Sequence, residues 1–370
     1  MVNVVHLTNI EEFNMKETTN TKRQLIIMSL EKLSSRYCFE WFTHIPELLK
    51  EELTDYNIMQ INGAEKEMST TPGGFLDFVG TNIWKNDQAT EFFKLVEAGM
   101  IDDDAVILFT DAWNPAIIQM KYTCSLMKKN WKIIAIWHGG SYIEMDPLDY
   151  LIDDKTWSYA FEESLYNAID VNWFSTKYHR DYFFGMFDVD ESKSLVSGFP
   201  MDYVKDSMIP DAEKENIIMS SARDCPGKQT WIFDELAKRL PQYTFIKTGC
   251  GLSKEDYKVA LSKAKIVISF ALLETLGIVT GMEAPASRAL PLVPNRLCFT
   301  EEFSEYSDLV YPSEYCEQDK EVNYDGLCDK IIHNMENYEE IADRVFPQVV
   351  DHMHQKYFSA TKFINFMRNF

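Results

Sequence analysis

Short apolar runs of strand length alternate with longer segments of helical period along nearly the whole chain. Residues 2–7, 24–30, 56–61, 105–109, 132–137 and 170–174 read as strands. The spacing predicts helices from Ser34 and over 87–97, 114–128, 156–168 and 177–185, with Leu195–Pro200 closing this half. Strands separated by helices imply parallel βαβ units, because a parallel return needs a crossover long enough to hold a helix. Pro210–Glu215 has the composition of a linker, after which the alternation restarts. Strands are expected at 216–220, 243–247, 265–269 and 290–293, helices at 229–240 and 253–263, and helix-rich sequence from Asp325 to Phe370.

At 370 residues the chain suits two domains better than one core. The expected class is α/β, two Rossmann-like domains facing each other across a cleft. The boundaries fall at 1–209, 210–345 and 346–370, the last a helix crossing back onto the first domain. Within the helix from Ser34, residues Tyr37, Trp41, Ile45, Leu48 and Leu49 recur at spacings of three and four. Ser34 or Ser35 is the expected cap, and Pro46 should kink or interrupt the helix.

An apolar fraction of 46% with 25% charged residues is that of a globular, soluble chain. The N-terminus reads as a polar-punctuated strand and not as a signal peptide, and no apolar window approaches a membrane span. The seven cysteines contain no CxxC pair, which fits buried thiols in a reducing compartment; the expected location is the cytoplasm. The net charge is −22: residues 1–200 carry 17 basic and 31 acidic side chains (−14), and the remainder 19 and 27 (−8). Neither half has the positive field that grips phosphate backbones, so any nucleic-acid contact needs a local patch. Lys121, Lys128, Lys129 and Lys132 form the best basic cluster, which reads first as a solvated helix end.

In open parallel sheets ligands bind at the carboxyl ends of the strands. After 132–137 comes His138-Gly139-Gly140-Ser141-Tyr142, then Asp146: the glycines admit close approach, and a histidine there can exchange a proton near neutral pH. After 216–220, Arg223 and Lys228 flank a Pro-Gly turn before a helix, a natural diphosphate clamp. The stretch Ile266–Arg296 reads as strand, loop, helix and strand, with Glu274 and Gly277 in the loop and Glu283 on the helix. Both glutamates can accept hydrogen bonds from sugar hydroxyls. Asp111 after 105–109 reads as an acceptor-side base or as a helix cap. The chain has no Walker loop, GxGxxG, HExxH or GxSxG, and no metal-ligand cluster.

The Arg223/Lys228 pair and the Glu274…Gly277…Glu283 unit resemble the retaining, glycogen-synthase-like GT-B glycosyltransferases. The resemblance implies that Arg223 and Lys228 hold the diphosphate of a nucleotide sugar, with the backbone of Thr275, Leu276 and Gly277 nearby. It also implies that Glu274 contacts the donor sugar and Glu283 the ribose. Here eight residues, Thr275–Met282, separate the glutamates, one more than is usual in the family. Pro291-Leu-Val-Pro-Asn-Arg-Leu297 with Glu301-Glu-Phe303 is similar to transferases that mannosylate queuosine in tRNA. Ser29–Leu33 with Arg36-Tyr37, Asp111–Pro115 and His138–Tyr142 are similar to tailed-phage glycosyltransferases, some of which decorate hydroxymethylated pyrimidines in DNA.

These resemblances imply an enzyme moving a sugar, from a UDP-sugar co-substrate and with no obligatory cofactor, to 5-hydroxymethylcytosine in phage DNA, in the cytoplasm of an infected cell if phage-encoded. His138, Asp111 and Glu274 are the expected catalytic residues, with Gly139, Gly140, Ser141 and Asp146 on the acceptor side. The alternatives are transfer to tRNA, a polysaccharide or a small metabolite, or a catalytically inactive GT-B binding module.

Overall fold

The structure, a computed structural model, describes residues 22–34, 36–64, 70–71, 75–210, 212–248 and 252–370. The strand expected at 2–7 lies outside the described residues. Along the chain come β1 (Arg23–Met28), α1 (Cys38–Glu52), β2 (Tyr56–Ile61), α2 (Gly80–Glu97), β3 (Val106–Phe109), α3 (Ala116–Met127) and β4 (Lys132–Ile136). Next are α4 (Pro147–Leu151), α5 (Lys155–Ala168), β5 (Val171–Phe174), α6 (Lys177–Met186) and β6 (Ser194–Val196). Their strands form one sheet in the order β2-β1-β3-β4-β5-β6, with parallel registers such as Met28↔Ile61 and Phe109↔Ala135.

A second series follows α7 (Tyr203–Ser207): β7 (Glu215–Ser220), α8 (Trp231–Arg239), β8 (Thr244–Lys247), α9 (Lys254–Lys263) and β9 (Ala264–Ile268). It continues through α10 (Ala284–Ala286), β10 (Leu290–Pro294), α11 (Phe299–Phe303), β11 (Val310–Tyr311), α12 (Tyr324–Glu336), α13 (Tyr338–Met353) and α14 (Thr361–Asn369). The second sheet is also parallel, in the order β11-β10-β9-β7-β8. Strands covered on both faces should be apolar throughout, and β3 and β10 are buried at every position. By contact density, the described residues up to Ala135 with Ala168–Val171 form one compact unit, and Ile136–Asn167 with Asn172–Phe370 form the other. Within the latter, Phe363 of α14 stacks on Trp173 of β5 with ring centroids 4.1 Å apart.

Local chemistry moves several boundaries. Helix α1 starts at Cys38 with Tyr37 in the cap position and no side-chain cap, so Ser34 does not serve; Ser35 lies outside the described residues. Pro46 sits inside α1 without ending it. Proline cannot donate to the carbonyl four residues back. That carbonyl, on Phe42, instead accepts from Gln60 Nε2 at 2.9 Å, and the same amide nitrogen is 2.8 Å from Ser29 Oγ. Helix α2 begins at Gly80, well before Asp87, because Asp77 Oδ1 accepts the Gly80 amide at 2.7 Å and fixes an earlier first turn. Helix α4 was not expected. Asp146 caps it by accepting the Leu148 amide at 2.9 Å, and Pro147 supplies a first-turn φ at no hydrogen-bond cost.

Replacing Gln60 by alanine should lower stability by about 1–2 kcal/mol in urea unfolding, since the half-buried Phe42 carbonyl loses its donor. In a Pro46→Ala background, where the helix supplies its own N–H, the same replacement should cost clearly less; equal costs would show that Gln60 does not serve that carbonyl.

Candidate active site

The second sheet changes direction between β7 and β9: the chain leaves β7 for β8 on one side, and β9 for β10 and β11 on the other. In open parallel sheets the carboxyl ends of the strands at such a change of direction are the usual ligand position. After β7 runs Ser221–Lys228, ending in a 3₁₀ turn over Pro226–Lys228, with Gln229 at φ 44°. After β9 runs Ser269–Gly277.

The two loops are laced together. The Leu272 amide donates to Gly227 O at 2.8 Å, and Lys228 Nζ reaches Leu273 O at 2.5 Å and Glu274 Oε2 at 2.8 Å. Below them, Gln229 Nε2 donates to Phe270 O (2.9 Å), and Arg296 Nε to Ala271 O (2.8 Å). Arg223, half-buried, makes no hydrogen bond or ion pair among the described residues. One cation is thus held by Glu274, while the other has no counter-ion in direct contact.

The loop after β4 reaches the same place, within the same compact unit. A Cβ on Gly139 would lie 2.7 Å from Asp146 Oδ2, so only glycine lets the carboxylate pack there. A Cβ on Gly227 would lie 3.1 Å from Met145 Cβ. Asp146 feels the positive charges of Arg223 and Lys228, yet burial outweighs them and raises its pKa from 3.8 to about 6. His138 packs its ring on Phe199 (5.1 Å between centroids), and its carbonyl accepts from Thr275 Oγ1 at 3.3 Å. Ser141 is fully buried, and its amide and hydroxyl donate to Glu162 at 2.5 and 2.8 Å.

Around Gly277 the backbone is tightly committed. Leu276 is buried, and the Gly277 amide donates to Glu302 Oε1 at 2.9 Å. A Cβ on Gly277 would lie 2.8 Å from Glu302 Oε2. Glu302 is buried, which raises its pKa to about 8. From Ile278 to Glu283 the chain forms a π-helix, which runs directly into α10. A π-turn accommodates one residue more than an α-turn. Part of the Thr275–Met282 span between the two glutamates is thus wound into a π-helix. Glu283 accepts from Tyr257 Oη at 2.5 Å, and Tyr257 also bonds Ser221 at the end of β7.

The structure therefore brings His138, Gly139, Asp146, Arg223, Lys228, Glu274, Thr275 and Gly277 onto loops that contact one another, with Glu283 ending the π-helix that follows and Gly140 and Ser141 in the same loop as His138. Asp111 belongs to the other compact unit. Its Oδ2 pairs with Lys85 Nζ at 2.8 Å, and its Oδ1 accepts the Trp113 amide at 3.0 Å, so it shapes a turn. The contact nearest the start of α3 comes instead from Asn114, whose Oδ1 accepts the Ala116 amide at 3.0 Å. In the basic cluster, Lys121 pairs with Asp170 at 3.2 Å and Lys129 with Asp103, which spends two of its four charges locally. Tyr257, Glu302 and Glu162 were not foreseen: a tyrosine on a polar helix and glutamates in acidic pairs carry no signal of burial or of partner.

The sequence matches no protein-family model and no curated protein. Solved structures do match in fold. HepE of Anabaena, solved with UDP and glucose, is 9% identical with a TM-score of 0.59, over 94% of this chain and 99% of that one. A glycosyltransferase from Rickettsia africae is 13% identical with a TM-score of 0.58, over 94% and 97%. TarM is 15% identical with a TM-score of 0.50, and the match spans 76% of this chain but only 57% of TarM. The architecture is the GT-B fold, with two parallel, Rossmann-like sheets.

Because Asp146 holds its proton to about pH 6 in the folded chain but only to 3.8 as an ordinary carboxyl, folding is favoured while it is protonated. Its contribution is fully present below about pH 4, falls as pH rises towards 6, and is level above that, a difference on the order of 3 kcal/mol at most. Asp146→Asn keeps the cap acceptor and cannot ionise. The stability of this variant relative to the parent should rise between pH 4 and 7 in urea unfolding; a constant difference would contradict the assignment.

Proposed function

We propose that the chain is a glycosyltransferase that moves a sugar from a UDP-sugar to a hydroxyl. The observation that carries this reading is the placement of Arg223 and Lys228 after β7, beside Glu274 and Glu283 on the neighbouring loop and helix, where the second sheet changes direction. Residues 210–345 hold the donor in this reading. Arg223 and Lys228 take the diphosphate and stabilise the charge that grows on it as the glycosidic bond breaks. Glu274 accepts from sugar hydroxyls and Glu283 from the ribose, where Tyr257 already orients its carboxylate. His138 positions the acceptor hydroxyl or takes its proton. Asp111 is assigned to the Lys85 pair and its turn rather than to proton transfer.

The acceptor proposed is a hydroxymethylated pyrimidine in DNA, a reading supported by the likeness of three segments to phage transferases. The charge of −22 and the ion-paired Lys121 and Lys129 favour a second reading, in which the acceptor is a smaller or less charged molecule.

Isothermal calorimetry with UDP-glucose should give saturable binding, and Arg223→Ala should weaken it about 10- to 100-fold, the loss of charge-assisted hydrogen bonds to phosphate. Glu283→Gln should weaken UDP more than inorganic diphosphate; equal losses would remove the ribose role. Incubation with labelled UDP-glucose and either hydroxymethylcytosine DNA or tRNA separates the acceptors, and label in neither would favour the smaller one.

A further inference from the structure

Thr275 joins two loops through both of its polar groups. Its hydroxyl donates to His138 O at 3.3 Å, while its carbonyl accepts from Thr176 Oγ1 at 2.8 Å and from Ser175 Oγ at 3.3 Å. Thr176 Oγ1 also accepts the His179 amide at 3.1 Å in the first turn of α6. His179 Nε2 lies 2.7 Å from Tyr142 Oη, and Tyr142 belongs to the loop that His138 begins. The path thus closes on itself: His138, Thr275, Thr176, His179, Tyr142 and back to His138. Ser175, Thr176 and His179 are fully buried, and Tyr142 nearly so. Burial, and then the charge of His138, lower the His179 pKa to about 3, so the imidazole stays neutral and the ring of contacts does not change across the working pH range.

Buried hydroxyls satisfied in this way make rigid joints, because any other arrangement leaves a polar group without water or partner. The neighbouring residues are fixed from other sides: Glu274 by Lys228, and Gly277 by Glu302.

We infer that Thr176 and Thr275 are positioning residues that hold the His138 loop in register with Glu274, so that the acceptor-side histidine and the donor-side carboxylate keep a fixed separation. This consequence for catalysis rests on the proposed donor reading, but the mechanical coupling does not. Thr176 donates to the very carbonyl whose residue holds His138, so loss of either hydroxyl loosens both loops together.

Thr275→Val and Thr176→Val keep the side-chain shape and remove the hydroxyl; the corresponding serine variants keep it. Hydrogen–deuterium exchange on the free, full-length chain should show faster exchange in both 138–143 and 274–281 for each valine variant, about tenfold or more, with the serine variants near the parent. Acceleration in only one segment overturns the coupling. If Thr176→Val does not fold, Thr275→Val and Ser175→Ala carry the test. With UDP-glucose as donor, the valine variants should lose at least tenfold in kcat, with KM within threefold and serine restoring the rate. Coupled exchange with unchanged kcat overturns the positioning role. Failure of the parent chain to bind UDP-glucose would instead sink the donor reading, with the exchange data still deciding the coupling.

Discussion

Lys228 is the side chain on which the second sheet's loops converge. Its ammonium contacts the Glu274 carboxylate and the Leu273 carbonyl, and it comes from a turn whose own Gly227 carbonyl accepts the Leu272 amide. The pair is sheltered, with the lysine side chain 13% and the glutamate 28% exposed. Close by lies the buried Glu302, which feels the charge of Glu274. Without Lys228, Glu274 would face another acid with no cation in contact. A sheltered pair of this kind adds little net stability but is costly to break from one side, which suits a contact that fixes geometry. Arg223 makes no ion pair among the described residues, and in the proposed function it is the cation left to meet a diphosphate.

The order of the strands explains why these residues meet. Within the second sheet the strand order reverses direction between β7 and β9, and the chain places a pair of cations after β7 and a pair of carboxylates after β9. The His138 loop joins them through a backbone carbonyl and the Thr275 hydroxyl instead of charge. Its glycines are needed less for unusual φ than for contact, since Gly139 lies against the Asp146 carboxylate.

Most strands and the α/β class were legible because apolar runs of strand length admit few other readings. The arginine, lysine and glutamate positions after β7 and β9 were legible as charged residues following buried strands, and the structure places Lys228 against Glu274. What escaped depends on partners far away in sequence. Pro46 sits within α1 with Gln60 serving the abandoned carbonyl. Helix α4 hinges on one Asp-Pro cap. The wide spacing of Glu274 and Glu283 gave no sign of a π-helix, which only backbone hydrogen bonding reveals. Thr176 and Glu302 act through main-chain contacts, which a sequence cannot report.

A crystal structure of the chain with UDP bound tests the central claim most directly. The account expects the diphosphate between Arg223 and Lys228, the ribose hydroxyls on Glu283, and Glu274 turned towards the open side of the β-phosphate where a sugar would follow. Nucleotide bound elsewhere, with Arg223 untouched and the Lys228–Glu274 contact unchanged, would contradict it.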